Sequence, residues 1–179
     1  MQQIQLLLGE RIRLRALEPH DVETLYKWEN DTAVWKASNT IAPYSRFVLE
    51  QYIASSHLDL YTNKQLRLMI TTKEGKDIGC IDLFDFEPHH QRAGIGILIG
   101  NREDRQKGYA SEALTLLIQY CFYQLHLHQL YANVMVDNEE SVLLFQKHKF
   151  LITGIKKEWV RVGDGFVDEL LMQLVRKGH

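Results

Sequence analysis

The chain has 179 residues, 45% of them apolar, 10% aromatic and 25% charged, which fits one domain with a sizeable core and excludes a disordered, collagenous or low-complexity chain. Lysine plus arginine number 21 against 23 acids, a net charge of −2 with no long basic run, so no nucleic-acid partner is expected. Cys80 and Cys121 lie in apolar stretches without a CxxC spacing and read as reduced core residues of a cytoplasmic protein.

Met1–Glu10 has only Leu6-Leu7-Leu8 as an apolar run and no basic n-region, so it does not read as a signal peptide. Arg11 to Leu17 alternates apolar and basic residues, the pattern of a half-buried strand. Pro19 suits a first helical turn, and Val22, Leu25 and Trp28 give that helix its apolar stripe through Asn30. Ser45 can cap a second helix carrying Phe47, Val48, Tyr52 and Ile53. From Leu66 the period changes to two. Leu66 to Thr72 and Ile78 to Phe86 read as strands joined by Lys73-Glu74-Gly75-Lys76, and Arg92 to Gly100 as a third, apolar on both faces and therefore buried.

Gly108 to Gln124 carries the strongest helical stripe: Leu114, Leu117, Ile118, Cys121, Phe122 and Leu125. The 24 residues from Ala113 to Val136 have no formal charge, but Gln119, Gln124, His126, His128 and Asn133 among them argue against a membrane span. Leu130 to Val136 alternates again. Asp137-Asn138 offers a helix N-cap, with Glu139 and Glu140 favourable at the positive end of the dipole. Two last strands, Phe150 to Val162 and Phe166 to Val175, meet at Gly163-Asp164-Gly165. The fold class is α/β (α+β): one domain, residues 1–179, with a mixed, mostly antiparallel sheet and about four helices. Regular β–α alternation is missing, so a doubly wound Rossmann domain does not fit.

Ile95 to Ala110 is the segment with chemistry. A strand runs into the charged loop Asn101 to Lys107, and the loop feeds a helix starting near Gly108. A helix start presents unpaired N–H groups and favours a phosphate, Gly108 allows close backbone approach, and Arg105 and Lys107 add charge. Alone, the spacing Arg105-x-x-Gly108-x-Ala110 is unspecific; at a strand–loop–helix junction it is physically sensible. A second segment, Asn138 to Phe150, places Ser141 and Phe145 on one helical face.

Together these segments resemble the GNAT superfamily of acyl-CoA-dependent N-acetyltransferases, and within it the branch of ribosomal-protein N-terminal and spermidine N-acetyltransferases. Arg13-Leu14-Arg15, Glu112-Ala113-Leu114, the Asn138 and Ser141 pair and Asp168-Glu169-Leu170 support the resemblance in order and spacing. It implies acetyl-CoA as co-substrate and no metal. The loop Arg105, Gln106, Lys107, Gly108, Tyr109 and Ala110 would cradle the pyrophosphate. The strand with Ile97, Leu98 and Ile99 would pair with pantetheine where it splays from its neighbour, and Asn138, Ser141 and Phe145 would lie along the other side. Three departures from the family pattern matter, the first and third for the acid and the base. Gly94 stands where a carboxylate is often found, and the loop before Gly108 is one residue longer. Phe145 replaces a tyrosine, with Lys149 where a glycine is usual.

The catalytic candidates are therefore Asp82, Glu87 and His89 in or beside the loop 82–92, and Ser141 as a proton relay to the thiolate. On a regular strand Asp82 and Asp85 point to opposite faces unless a bulge intervenes. His89-His90 lacks a third ligand at a zinc spacing, so no metal is expected. Making a lysine-like amine neutral at pH 7 costs about 4–5 kcal/mol, and a peptide α-amine about 1 kcal/mol. The weak base set thus favours α-amines, while the acidic loop would attract polyamines. Acetyl transfer to a primary amine (peptide N-terminus, polyamine or other small amine) is the expected activity. A non-catalytic acyl-CoA-binding module is the alternative, and homo-oligomerisation stays open.

Overall fold

A computed structural model describes residues 6–38, 40–56 and 58–177. The leader reading of Met1–Glu10 rests partly on residues 1–5, outside the described residues. The elements in chain order are β1 (Ile12–Arg15), a 3₁₀ turn (Pro19–Asp21), α1 (Val22–Glu29), α2 (Thr32–Ser38), α3 (Arg46–Ser55), α4 (Leu60–Asn63), β2 (Leu66–Thr72), β3 (Asp77–Glu87), β4 (Arg92–Ile99), α5 (Tyr109–Gln119), β5 (Gln129–Met135), α6 (Glu139–Lys147), β6 (Leu151–Val162) and β7 (Gly165–Val175). The seven strands form one sheet in the order β1-β2-β3-β4-β5-β7-β6, antiparallel throughout except for β4 beside β5. This is the mixed sheet expected, with two short helices, α2 and α4, in addition.

Both faces of the sheet are covered, which is why β2 and β3 are apolar on alternate and intervening positions alike. On one face α5 packs Leu114 and Leu117, and the turn that follows it Cys121, in one core with Leu68, Ile70 and Leu83. On the other, α1 and α3 bring Leu25, Trp28, Leu49 and Ile53 onto Met69 and Cys80. Truncating Leu114 or Leu117, both essentially inaccessible, to alanine is worth about 2–5 kcal/mol. Ser45 caps α3 by accepting from the Val48 N–H, as its position foretold. The helix expected over 108–124 differs at both ends. Gly108 is its left-handed N-cap, and Tyr120–Gln124 widens into a π-helical turn, with the Leu125 N–H bonded back to the Tyr120 carbonyl.

Arg15 ties β1 to the 3₁₀ turn and to β3. Its guanidinium donates to both oxygens of the fully buried Asp21 at 2.8 Å and to Asp77 at 2.8 Å. The Arg13-Leu14-Arg15 motif is thus structural in its third residue.

Candidate active site

The site is made by a break in the sheet. β4 pairs with β3 along its length, from Arg92 to Ile99, but with β5 only at Arg92, Ala93 and Gly94. Beyond Gly94 the two parallel strands separate, and β5 continues paired to β7 alone. The stretch Ile95–Ile99 therefore leaves one row of backbone N–H and C=O groups without a strand partner, a ready template for an extended ligand. This also corrects the expectation that β4 is wholly buried: Ala93, Gly94 and Ile95 are, whereas Gly96–Ile99 are half-buried because they line the opening.

A cleft of about 410 Å³ opens at the wedge. It is lined by Ile97, Leu98 and Ile99 of β4, by Arg105, Gln106, Gly108, Tyr109 and Ala110 at the start of α5, and by Asn138 and Ser141 of α6. These are the residues marked for the coenzyme, with two exceptions. Lys107 does not line it: its carbonyl accepts from Arg11 Nη1 at 2.8 Å and its ammonium lies 3.8 Å from Asp104. Phe145 is buried edge-to-face against Phe150, and it borders the neighbouring cavity instead. The loop is held by Asp104, 4% exposed and itself in the cleft lining, which accepts twice from Lys76 Nζ at 2.8 Å. Burial, the largest single influence, pushes the Asp104 carboxyl up, but the hydrogen bonds from Lys76 and Asn101 and the charges of Lys76 and Lys107 together keep the acid below its usual range. Gly108 sits at φ +83°, and a Cβ there would meet Arg11 Nη2 at 3.0 Å. Helix α2, not foreseen, closes the cleft with Ala33 and Val34, and Lys36 pairs with Asp137 at 2.5 Å beside the start of α6.

A second cavity of about 720 Å³ meets the cleft at Val34, Ile97, Leu98, Asn138 and Ser141. Its charged lining consists of three carboxylates, Glu29, Asp82 and Glu169, and two cations, Arg67 and Lys156. Strand register sets them: Arg67 stands directly opposite Asp82 in the β2–β3 pair, and Lys156 opposite Glu169 in the β6–β7 pair. Arg67 donates through Nε and Nη2 to Asp82 at 2.7 and 2.9 Å and through Nη1 to Glu29 at 2.5 Å. Lys156 pairs with Glu169 and donates to Asn133 Oδ1 at 3.0 Å. Burial pushes the Tyr52 hydroxyl up to about 12, so this wall of the cavity stays neutral apart from the ion pairs.

Of the four catalytic candidates, Asp82 and Ser141 line the cavity. Glu87 and His89 do not. Glu87 is opposite Arg92 at the far end of the β3–β4 hairpin, and His89 is exposed in its turn, stacked edge-to-face on His90. A bulge does interrupt β3 between Phe84 and Glu87, with Asp85 at φ +48°, but it delivers Asp85 to the Tyr131 hydroxyl at 2.9 Å rather than to the cavity. Asn138 caps α6 by accepting from the Ser141 N–H at 3.2 Å, and Ser141 and Phe145, one turn apart, both face the cavity. Cys80 also lines it, but burial pushes its thiol up to about 12, far from a usable nucleophile at neutral pH. Among the described residues no group of three or more His, Cys, Asp and Glu is arranged to hold a metal ion, and no helix is long and apolar enough to cross a membrane.

Glu29, Arg67, Lys156 and the inward aim of Glu169 were missed by sequence reasoning. For Arg67, Lys156 and Glu169 the signal was the cross-strand register, which needs the strand partners to be known; Glu29 comes in with the packing of α1.

The acetyltransferase (GNAT) domain model matches residues 11–151. An uncharacterized N-acetyltransferase of Bacillus licheniformis is 28% identical over 178 residues, 98% of this chain and 99% of that protein. Spermidine N(1)-acetyltransferase of Vibrio cholerae is 25% identical over 175 residues, 96% of this chain and 97% of that protein. The crystal structure of spermidine N-acetyltransferase from Vibrio cholerae in complex with CoA and spermine superposes with a TM-score of 0.85 at 23% identity, covering 93% of this chain and 96% of that one, and so shares the fold. The splayed β4–β5 wedge and the glycine-capped helix start agree with that match: the chain belongs to the GNAT acetyltransferase family and is an acyl-CoA-dependent N-acetyltransferase with acetyl-CoA as co-substrate.

Proposed function

We propose that the protein transfers acetyl from acetyl-CoA to a primary amine by direct attack in a ternary complex, with the thioester seated where the wedge opens. One observation carries this reading: the residues beyond the last β4–β5 pair line both the cleft and the charged cavity, so the two substrates meet without a carrier between them. In this reading the free backbone edge at Ile97, Leu98 and Ile99 binds the extended arm, and the start of α5 around Gly108 takes the pyrophosphate. The neutral amine forms the C–N bond, the C–S bond breaks, and the thiolate leaves toward the α6 face.

Ser141 is the proton donor to the departing thiolate. Its Oγ makes no protein hydrogen bond among the described residues, and it sits at the junction of cleft and cavity. Asp82, held by Arg67, orients the incoming ammonium while its proton leaves through water; taking the proton itself would break a two-point ion pair. Initial rates measured over a grid of acetyl-CoA and amine concentrations test the order of events. Intersecting lines and amine-dependent thiol release are expected. Parallel lines would point to an acyl-enzyme, and tight acetyl-CoA binding without release for any amine would make the protein a binding module.

A further inference from the structure

Resting on the acetyl-transfer reading, we propose that Lys156, seconded by Arg67, makes the acceptor cavity select amines with a single positive charge on an uncharged, apolar body, and refuse polyamines. The cavity's three carboxylates are each already engaged by a cation: Glu29 and Asp82 by Arg67, Glu169 by Lys156. Against two cations they leave one net negative charge, the complement of one ammonium. A triamine would bring two more ammoniums, and these would have to stand beside Lys156 and Arg67 or displace them from their partners. Like charges a few ångströms apart in a half-buried site are a repulsive selectivity element.

The acids that could draw in a polycation are elsewhere. Asp85 is bonded to Tyr131, and Glu87 lies at the far end of its hairpin; neither lines the cavity. The exposed part of the lining carries no charge: Tyr44, Val48 and Trp159 are apolar or aromatic, Ser38, Gln65 and Asn133 polar, and the Trp159 ring lies 5.0 Å from the Lys156 ammonium. Trp159 is 61% exposed, so an alkyl or aromatic body laid on it would cover surface that now faces water.

Butylamine and putrescine share a four-carbon chain and differ by one ammonium, so the comparison isolates charge; spermidine and an alanyl peptide amide complete the panel. The wild-type kcat/KM for butylamine should exceed that for putrescine by roughly tenfold or more, with spermidine lower still, an effect between the exposed and low-dielectric extremes for a unit charge pair. Lys156→Gln should narrow that gap about tenfold, Lys156→Arg should keep it, and Lys157→Gln, which alters only the outward pair with Asp168, should not move it. Should Lys156→Gln not fold, the wild-type ratio and Lys156→Arg decide. Putrescine or spermidine used as well as butylamine by the wild type, or an unchanged gap in a folded Lys156→Gln, would overturn the proposal. Failure of every amine would instead remove the acetyl-transfer reading beneath it.

Discussion

Replacing Gly108 with valine strikes the proposed phosphate site at a position whose cost can be worked out. Gly108 caps α5 at φ +83° and ψ 1°, a conformation that costs an L-residue about 1–2 kcal/mol. The new Cβ would lie 3.0 Å from Arg11 Nη2. Arg11 is half exposed and can retreat, but in doing so it gives up its bonds to the Lys107 carbonyl and to Glu112, worth about 0–1 kcal/mol at that exposure. The total, about 1–3 kcal/mol, is less than a typical 5–15 kcal/mol stability, so the variant folds, though not unscathed. The ligand suffers separately. If the chain relaxes out of the left-handed cap, the first N–H groups of α5 turn away from the anion, and each charge-assisted bond lost is worth about 1.5–3 kcal/mol, roughly tenfold to hundredfold in Kd. Urea unfolding and calorimetric titration with coenzyme A measure the two effects independently. A stability loss of the expected size with unchanged coenzyme A affinity would show that the phosphates do not sit at Gly108.

Three further outcomes are expected. Glu87→Gln and His89→Gln should each keep kcat and KM within about twofold of wild type, because neither side chain lines the cavity; a large drop in either would return the base to that hairpin. In single-turnover acetyl transfer, Ser141→Ala should slow the chemical step by about 10²–10⁴-fold with coenzyme A affinity retained, and Phe145→Tyr should gain rate if the added hydroxyl reaches the thiolate; an unchanged Ser141→Ala rate removes that residue from the mechanism. Asp104→Asn should cost about 1–3 kcal/mol at neutral pH. Because the folded-state pKa of Asp104 is lowered, its contribution is complete above the unfolded value of about 3.9 and fades as pH falls below it, so the variant should lose less stability than wild type on acidification, as urea midpoints across pH would report.

The strands, α1, α3, α5 and α6 were legible because each carries its own period, and two of the helices a cap as well: Ser45 before α3 and Asn138 before α6 accept from backbone N–H groups of the first turn. Helix α2 was not. Only two residues separate it from the end of α1 at Glu29, and it offers only Val34 and Trp35 as large apolar residues, too few turns to show a stripe. The lining of the proposed coenzyme cleft was marked within 105–110 by a local feature, a glycine at a helix start, and at 97–99, 138 and 141 by the family resemblance. The acceptor side could not be read in this way. Arg67 and Asp82 are 15 residues apart and Glu29 a further 38 from Arg67; only the register of β2 on β3 and the packing of α1 bring them together. Lys156 and Glu169 meet in the same way across β6 and β7. The acidic residues after Asp82 looked like the acceptor site because they cluster in sequence, and the bulge at Asp85 sends them elsewhere.

The measurement that bears most directly on direct transfer at the wedge is a quenched single turnover with acetyl-labelled coenzyme A and butylamine. Label should pass from the coenzyme to the amine at the rate of thiol appearance, with none on the protein at any time, consistent with both cysteines being buried. Label trapped on the protein, or thiol release that does not depend on the amine, would contradict transfer in a ternary complex.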